Sequence, residues 1–309
     1  MTRQKRRGEQ PVVPDASFTS YHGSPILNSP TWQPLDIAGY LFCGGLAGAS
    51  SLLAAGAHAT ARPALARAAK LGAAGGVSAS LGLLVHDLGR PARFLNMLRV
   101  CKPTSPMSLG SWLLAGYAPL ALAAAATDVT GRFRRAGTAA TSAASVLGPA
   151  VATYTAVLVA DTAVPSWHEA HRELPYVFAG SAATAAAGLG LLCAPAAQSG
   201  PARRMAVLGA ALEWGAVRLM KRRMGLAAET YERGTPRTLL RAAETLTAGG
   251  ALLAACADRR ALGAVAGSAL LAGSAALRFG VFHAGVASAK DPKYTVVPQR
   301  ERLAVREGA

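Results

Sequence analysis

Eight long apolar runs, separated by short polar loops, constrain the fold more than any other feature of this sequence. Each run is close to the ~20 residues that a helix needs to cross a hydrocarbon layer of ~30 Å. Only 16% of the residues are charged, whereas a typical soluble domain has about a quarter. We therefore predict an all-α membrane protein with eight transmembrane helices, at residues 35–57, 69–86, 107–127, 138–160, 174–197, 202–220, 239–257 and 262–287.

The apolar runs also divide the chain into regions. Residues 1–34 form a polar N-terminal tail, which we expect to be retained because the first apolar run begins too far from the basic start for a signal peptide. Residues 35–287 form the transmembrane domain, and residues 288–309 form a polar C-terminal tail. We expect the halves of the transmembrane domain, 35–160 and 174–287, to be two four-helix bundles.

The formal net charge of the chain is +16. Loops on the N-terminal side carry about twice as many lysines and arginines as loops on the other side, and the positive-inside rule then places both termini in the cytoplasm. We expect a multi-pass protein of the cell membrane whose basic loops contact anionic lipid. A nucleic-acid partner is not expected, because no basic amphipathic run with interleaved aromatic residues occurs.

The cysteines and histidines do not predict a bound metal. The four cysteines are scattered, with no CxxC pair and no iron–sulfur ligand run. Two axial histidines for a haem would have to lie at matched depth on facing helices, and only His86 and His283 lie near span ends. We therefore predict neither an intrinsic haem nor an intrinsic metal, so that any redox centre belongs to a partner.

A group of polar residues is predicted to collect at one end of the helices. Because alternate helices end on the same side, acidic residues and a histidine near those ends share one level, and a tyrosine lies two turns deeper. Such groups can hydrogen-bond the two carbonyl oxygens of a lipid-soluble ring and deliver protons to them. We predict a quinone site, for menaquinone or ubiquinone, formed by Asp36, His86, Asp87, Tyr154, Asp161 and Trp167.

Two alternatives stay open for these charges. Asp36 and Arg278 could pair with each other, and Glu213 with a basic residue of a neighbouring helix. The chain could also be a purely structural anchor for a soluble oxidoreductase, with the same docking loop but no ring-shaped pocket under Tyr154. Alternatively, the charges Glu213, Glu244 and Arg278 inside predicted spans could serve a solute or ion transporter.

The loop between the second and third spans, within residues 86–112, is short, basic and punctuated by prolines. We predict a short interfacial helix there, with one face on lipid or protein and the other presented to a partner. The predicted docking residues are Arg90, Arg93, Phe94, Asn96 and Arg99. The arginines could instead only anchor lipid headgroups.

The stretch DLGRPARFLNMLRVCKPTSPMSLGSW, at residues 87–112, closely resembles the signature of the NrfD-like family. This family comprises the membrane subunits of polysulfide reductase and formate-dependent nitrite reductase complexes. The chain also resembles this family at residues 21–23, 44–48, 154–158, 164–167 and 291–296.

The resemblance implies an eight-helix subunit that has no metal centre of its own. It implies an iron–sulfur, ferredoxin-like partner, usually a molybdopterin catalytic subunit, and a quinone site within the first four helices near the docking face. Such a subunit would pass electrons between the quinone pool and the iron–sulfur partner, while the catalytic subunit determines the terminal substrate. The residues that match the family are Asp87, Arg90, Arg93, Asn96, Tyr154 and Trp167, whereas Asp36, His86 and Asp161 rest on predicted depth.

Overall fold

A computed structural model describes residues 26, 27, 30, 32–90 and 92–307. Within those residues the chain is helical and has no β-strand. The predicted N-terminal tail lies largely outside the described residues, as do Pro91 of the loop and the family match at 21–23. The helices are α1 Pro34–Ala59, α2 Pro63–Asp87, α3 Arg93–Met97, α4 Pro106–Thr130, α5 Arg134–Ala160, α6 Pro165–Glu169, α7 Leu174–Cys193, α8 Gly200–Arg223, α9 Gly234–Ala255, α10 Arg260–Lys290 and α11 Lys293–Glu307.

Proline and glycine define many of the helix ends. Pro34, Pro63 and Pro106 are the first residues of α1, α2 and α4, where the fixed φ of proline suits a helix and its missing N–H costs no hydrogen bond. Gly89 and Gly131, which follow α2 and α4, have φ values of +65° and +68°. Glycine adopts this left-handed conformation without steric cost, so the chain can turn back within a few residues.

Six of the described helices are long and apolar enough to cross a membrane: α1, α2, α4, α5, α7 and α10. The chain is therefore a multi-pass membrane protein. The predicted spans at 202–220 and 239–257 fall in α8 and α9, which have the length of a span but not the mean hydropathy. Charged residues lower the mean hydropathy of both helices. They include Arg218 and Lys221 in α8, and Arg237, Arg241 and Glu244 in α9.

Helix α1 lies at the centre of the packing. It contacts α2, α5, α7 and α10. Small residues allow the closest approach, because a Cβ on Gly48 of α1 would collide with the backbone of Gly148 of α5. In a membrane, where burial of apolar surface gives little driving force, such close backbone contact stabilises helix pairs.

The predicted polar C-terminal tail is helical and bound to the protein. After α10 ends at Lys290, α11 begins at Lys293, whose Nζ lies 2.8 Å from Oε2 of Glu229. The Tyr294 hydroxyl donates to the same oxygen at 3.4 Å, and Arg233 lies 3.5 Å from it. The hydrogen bond from Lys293 holds the pKa of Glu229 below its ordinary value, so ionised Glu229 favours the docked tail.

Replacing Glu229 by glutamine is expected to loosen the tail. Because the folded-state pKa of Glu229 is lowered, ionised Glu229 stabilises the docked tail fully at neutral pH. This stabilisation is lost as the pH falls through the lowered pKa. Hydrogen exchange followed by mass spectrometry should show faster exchange in residues 293–307 of Glu229→Gln at pH 7. It should also show the same loosening in the wild type in acid.

Glu232→Gln is the matched control, since Glu232 is exposed and its ion pair is with Lys221, at 3.8 Å, rather than with a residue of the tail. Unchanged exchange in Glu229→Gln, or equal change in the control, would contradict this role.

Candidate functional site

The first turns of α1 carry two buried polar side chains, Asp36 and Tyr40. They lie four residues apart and therefore share one helix face. Oδ2 of Asp36 lies 3.0 Å from Nδ1 of His86 on the last turn of α2. The Asp36 side chain is only 6% exposed, whereas that of His86 is 72% exposed. The pair therefore joins a buried carboxylate to an imidazole that can be reached from outside the helices.

Tyr40 connects this pair to the predicted tyrosine. Its hydroxyl is hydrogen-bonded to the hydroxyl of Tyr154 on α5. The ring of Tyr154 is half-buried and lies directly against Gly110 of α4, where a Cβ would overlap the ring. Gly110 thus leaves the space that Tyr154 occupies, which gives a physical reason for glycine at this position of the signature.

The structure brings together four of the six predicted site residues. Asp36 pairs with His86, and Asp87 follows on α2 close enough to interact electrostatically with both. Tyr154 joins them through Tyr40. The alternative pairing of Asp36 with Arg278 is wrong, because Nη2 of Arg278 donates to the carbonyl oxygen of Phe178, deeper in the protein, at 2.9 Å.

Among the described residues, no side-chain hydrogen bond joins Trp167 or Asp161 to this group. Trp167 is 0% exposed, stacks on Trp32 with ring centroids 5.8 Å apart, and donates its indole N–H to the carbonyl oxygen of Val281 at 2.8 Å. It therefore packs the short helix α6 onto α10. Asp161 is exposed at the end of α5. Contact of either residue with a quinone stays a prediction without geometric support here.

The signature loop is held against the start of α4 by its own residues. The Ser108 hydroxyl donates to the carbonyl oxygen of Val100 at 2.9 Å, and the Trp112 indole N–H reaches the same oxygen at 3.3 Å. The backbone N–H of Lys102 donates in turn to Ser108 Oγ at 2.9 Å. Serine and tryptophan in this part of the signature therefore fix the path of the loop.

The short helix predicted between the second and third spans is α3, Arg93–Met97. Arg90, Arg93, Asn96 and Arg99 are exposed, and Phe94 is half-buried. Within the described part of the chain, none of these three arginines forms a salt bridge to a carboxylate. The loop therefore presents unneutralised positive charge beside the Asp36–His86 pair.

Sequence reasoning missed Tyr40 and a second polar group towards the opposite ends of the helices. There, Nζ of Lys70 lies 2.8 Å from Oδ1 of Asp128, and the hydroxyls of Ser51 and Tyr117 lie 2.7 Å apart. A lysine inside the predicted span 69–86 was the available signal for this group. For Tyr40 the signal was its spacing of four residues from Asp36.

The apolar helices and the exposed basic loop define the protein class, a multi-pass helical membrane protein with a polar group at one end. Residues 26–221 match the family model described as "Polysulphide reductase, NrfD". The chain therefore belongs to the NrfD family of membrane subunits of oxidoreductase complexes, which confirms the predicted resemblance. A search among curated proteins found no match.

Gly110→Ala is expected to displace Tyr154 and to weaken its contact with Tyr40. Overpacking of this kind costs about 1–3 kcal/mol, and a lower thermal unfolding temperature of the purified protein would report it. Gly116→Ala on the same helix is the matched control, because its Cβ would meet only Leu147, at 3.8 Å. Equal unfolding temperatures for the two variants would contradict the assigned packing.

Proposed function

We propose that this chain is the membrane anchor and quinone-binding subunit of an oxidoreductase complex, passing electrons between the quinone pool and an iron–sulfur partner. The observation that carries the proposal is the Asp36–His86 pair, one helical turn from the Tyr40–Tyr154 pair and beside the exposed basic loop. Family membership supports the general role, and these residues support the position of the site.

The side chains suit a ring with two carbonyl oxygens. A quinone, when bound, accepts two electrons and two protons. The Tyr154 hydroxyl is placed to donate a hydrogen bond, and His86 can exchange protons with water because it is exposed, while Asp36 orients its ring. The Tyr154 ring is half-buried, so part of it can be reached from outside the helices. The proposed quinone therefore binds against the outer surface of the helices.

The basic loop is the proposed docking surface for the iron–sulfur subunit. Exposed arginines 90, 93 and 99 lie on the same side of the protein as the Asp36–His86 pair, which would keep the electron path short. Complementary charge steers and orients protein association more than it adds affinity. We propose that a molybdopterin catalytic subunit completes the complex.

We also propose that all eight long helices cross the membrane, as two four-helix bundles, with both termini in the cytoplasm. Helices α8 and α9 have 24 and 22 residues, enough for a span. Each packs along a helix that is apolar enough to span, α8 along α7 and α9 along α10. Their charges need partners within the protein, since an ionisable group facing lipid is costly.

Three single-cysteine proteins test this topology. In a background without other cysteines, Cys101 lies in the signature loop, Cys256 follows α9, and Glu232→Cys places an exposed thiol between α8 and α9. A membrane-impermeant maleimide should label Glu232→Cys from the same side as Cys101 and from the opposite side to Cys256. If α8 and α9 do not cross, Glu232→Cys is labelled together with Cys256 instead.

Tyr154→Phe and Asp87→Asn are expected to lower quinol-dependent turnover of the complex. Loss of one hydrogen-bonding or proton-transferring group costs about tenfold or more. The measurement is oxidation of a menaquinol analogue, with dye-driven activity of the catalytic subunit recorded in parallel. Tyr176→Phe is the matched control, because Tyr176 is exposed on α7.

A purely structural anchor is the alternative. It is favoured by one observation, that the Tyr154 ring lies directly against Gly110 and its hydroxyl is hydrogen-bonded to Tyr40, which leaves no space for another ring between these residues. Unchanged quinol turnover and binding in both variants, in a complex that still assembles, would support this alternative and contradict the proposed site.

A further inference from the structure

A cavity of about 540 Å³ lies at the ends of α1, α2, α4 and α5 that face away from the signature loop. Its wall includes residues from each of these ends, namely His58 in the last turn of α1, Pro63 at the start of α2, Gly131 after α4 and Arg134 at the start of α5. The ionisable residues of the wall are His58, Arg67, Lys70, Asp128 and Arg134. We call this cavity the basic cavity.

The wall of the basic cavity carries more positive than negative charge. Nζ of Lys70 lies 2.8 Å from Oδ1 of Asp128, and the Lys70 side chain is only 8% exposed. Nε of Arg67 lies 3.8 Å from the other carboxylate oxygen of Asp128, which is longer than a hydrogen bond. Arg134 forms no salt bridge within the described part of the chain. One carboxylate therefore faces three cations, and the cavity attracts an anion.

The N-terminus of α5 adds to this positive potential. Arg134, Gly137 and Thr138, from its first two turns, line the cavity. Phe133, the N-cap residue, provides no side-chain hydrogen bond to the backbone N–H groups of the first turn. These N–H groups and the positive end of the helix dipole favour an anion with several acceptor oxygens, such as a phosphate group.

The basic cavity lies at the level of lipid headgroups. Helices α1, α2, α4 and α5 have 25 to 27 residues, which is ~40 Å, so their ends extend beyond a hydrocarbon layer of ~30 Å. Asp128 lies in the last turn of α4, whereas Lys70 lies about two turns from the start of α2. The long Lys70 stem therefore extends towards the helix ends to reach Asp128, which also brings its ammonium group close to the headgroup level.

We propose that the basic cavity binds the phosphate group of an anionic phospholipid, with the exposed Arg67 and Arg134 as its direct partners and Lys70 as a further charge. A zwitterionic headgroup would bring its own ammonium group against these arginines, whereas phosphatidylglycerol carries hydroxyls instead. The volume is within the range of small-ligand sites. This site is separate from the proposed quinone site, and it depends neither on the crossing of α8 and α9 nor on the side that the termini face.

Native mass spectrometry of the purified protein in detergent tests the proposal. The probes are phosphatidylglycerol and phosphatidylcholine with identical acyl chains. The first phosphatidylglycerol should bind about tenfold more tightly than phosphatidylcholine, because only its headgroup has a net negative charge. Inorganic phosphate at millimolar concentration should not displace it, since free phosphate has no acyl chains to pack against the helices.

Arg67→Gln and Arg134→Gln are the informative variants, because both side chains are exposed and folding should be unaffected. Each should lower the affinity for phosphatidylglycerol about fivefold, the effect of one basic residue near a charged headgroup. Arg135→Gln is the matched control, since Arg135 is the next residue of α5 and is exposed but does not line the cavity. Its affinity should stay close to that of the wild type, and the unfolding temperatures of all three variants should match it.

Photolabelling in lipid nanodiscs locates the bound lipid. Phosphatidylglycerol with a diazirine near its ester groups should label peptides that contain residues 58–70 or 127–138, and Arg134→Gln should reduce this labelling. Equal affinities for the two lipids, labels spread evenly over the helices, or an equal loss of affinity in Arg135→Gln would overturn the proposal, because each indicates diffuse attraction rather than a site. Displacement by inorganic phosphate would assign the cavity to a soluble anion and contradict the lipid.

Discussion

A polar group inside a hydrocarbon layer must find its partner within the protein, and the arrangement around α1 follows from that requirement. Asp36 pairs with His86 of α2, Tyr40 with Tyr154 of α5, and Ser51 with Tyr117 of α4. Each pair ties α1 to a different neighbour at a different depth. The hydrogen bonds therefore fix both the order of the helices around α1 and their positions along it, which apolar packing alone does not specify.

Close packing of small residues makes these pairs possible. The contact of Gly48 with Gly148 brings the α1 and α5 backbones together, and this keeps the two tyrosine hydroxyls within reach of each other. Gly110 has the same effect from α4, where the absence of a Cβ admits the Tyr154 ring. In this half of the protein the glycines and the polar pairs thus depend on each other.

Much of the fold was predictable because its signals are local. Apolar length predicted the six helices that are apolar enough to span, and the pattern of arginines predicted the short helix at Arg93–Met97. Helices α8 and α9 have the predicted length, but their charged residues keep the mean hydropathy below that of the other six. The burial of Trp167 and the contact of Tyr40 with Tyr154 were missed because both depend on residues more than a hundred positions apart.

The Val100 carbonyl oxygen, shared by Ser108 and Trp112, has a consequence for assembly. Because the chain itself holds the loop at Val100, the neighbouring Arg99 has a set position before any other protein arrives. Binding of a partner at this position would then cost little conformational entropy, because the loop is already ordered. Recognition at this part of the proposed docking surface would resemble the fitting of two rigid bodies, with selectivity determined by the match of shapes and charges rather than by folding upon contact.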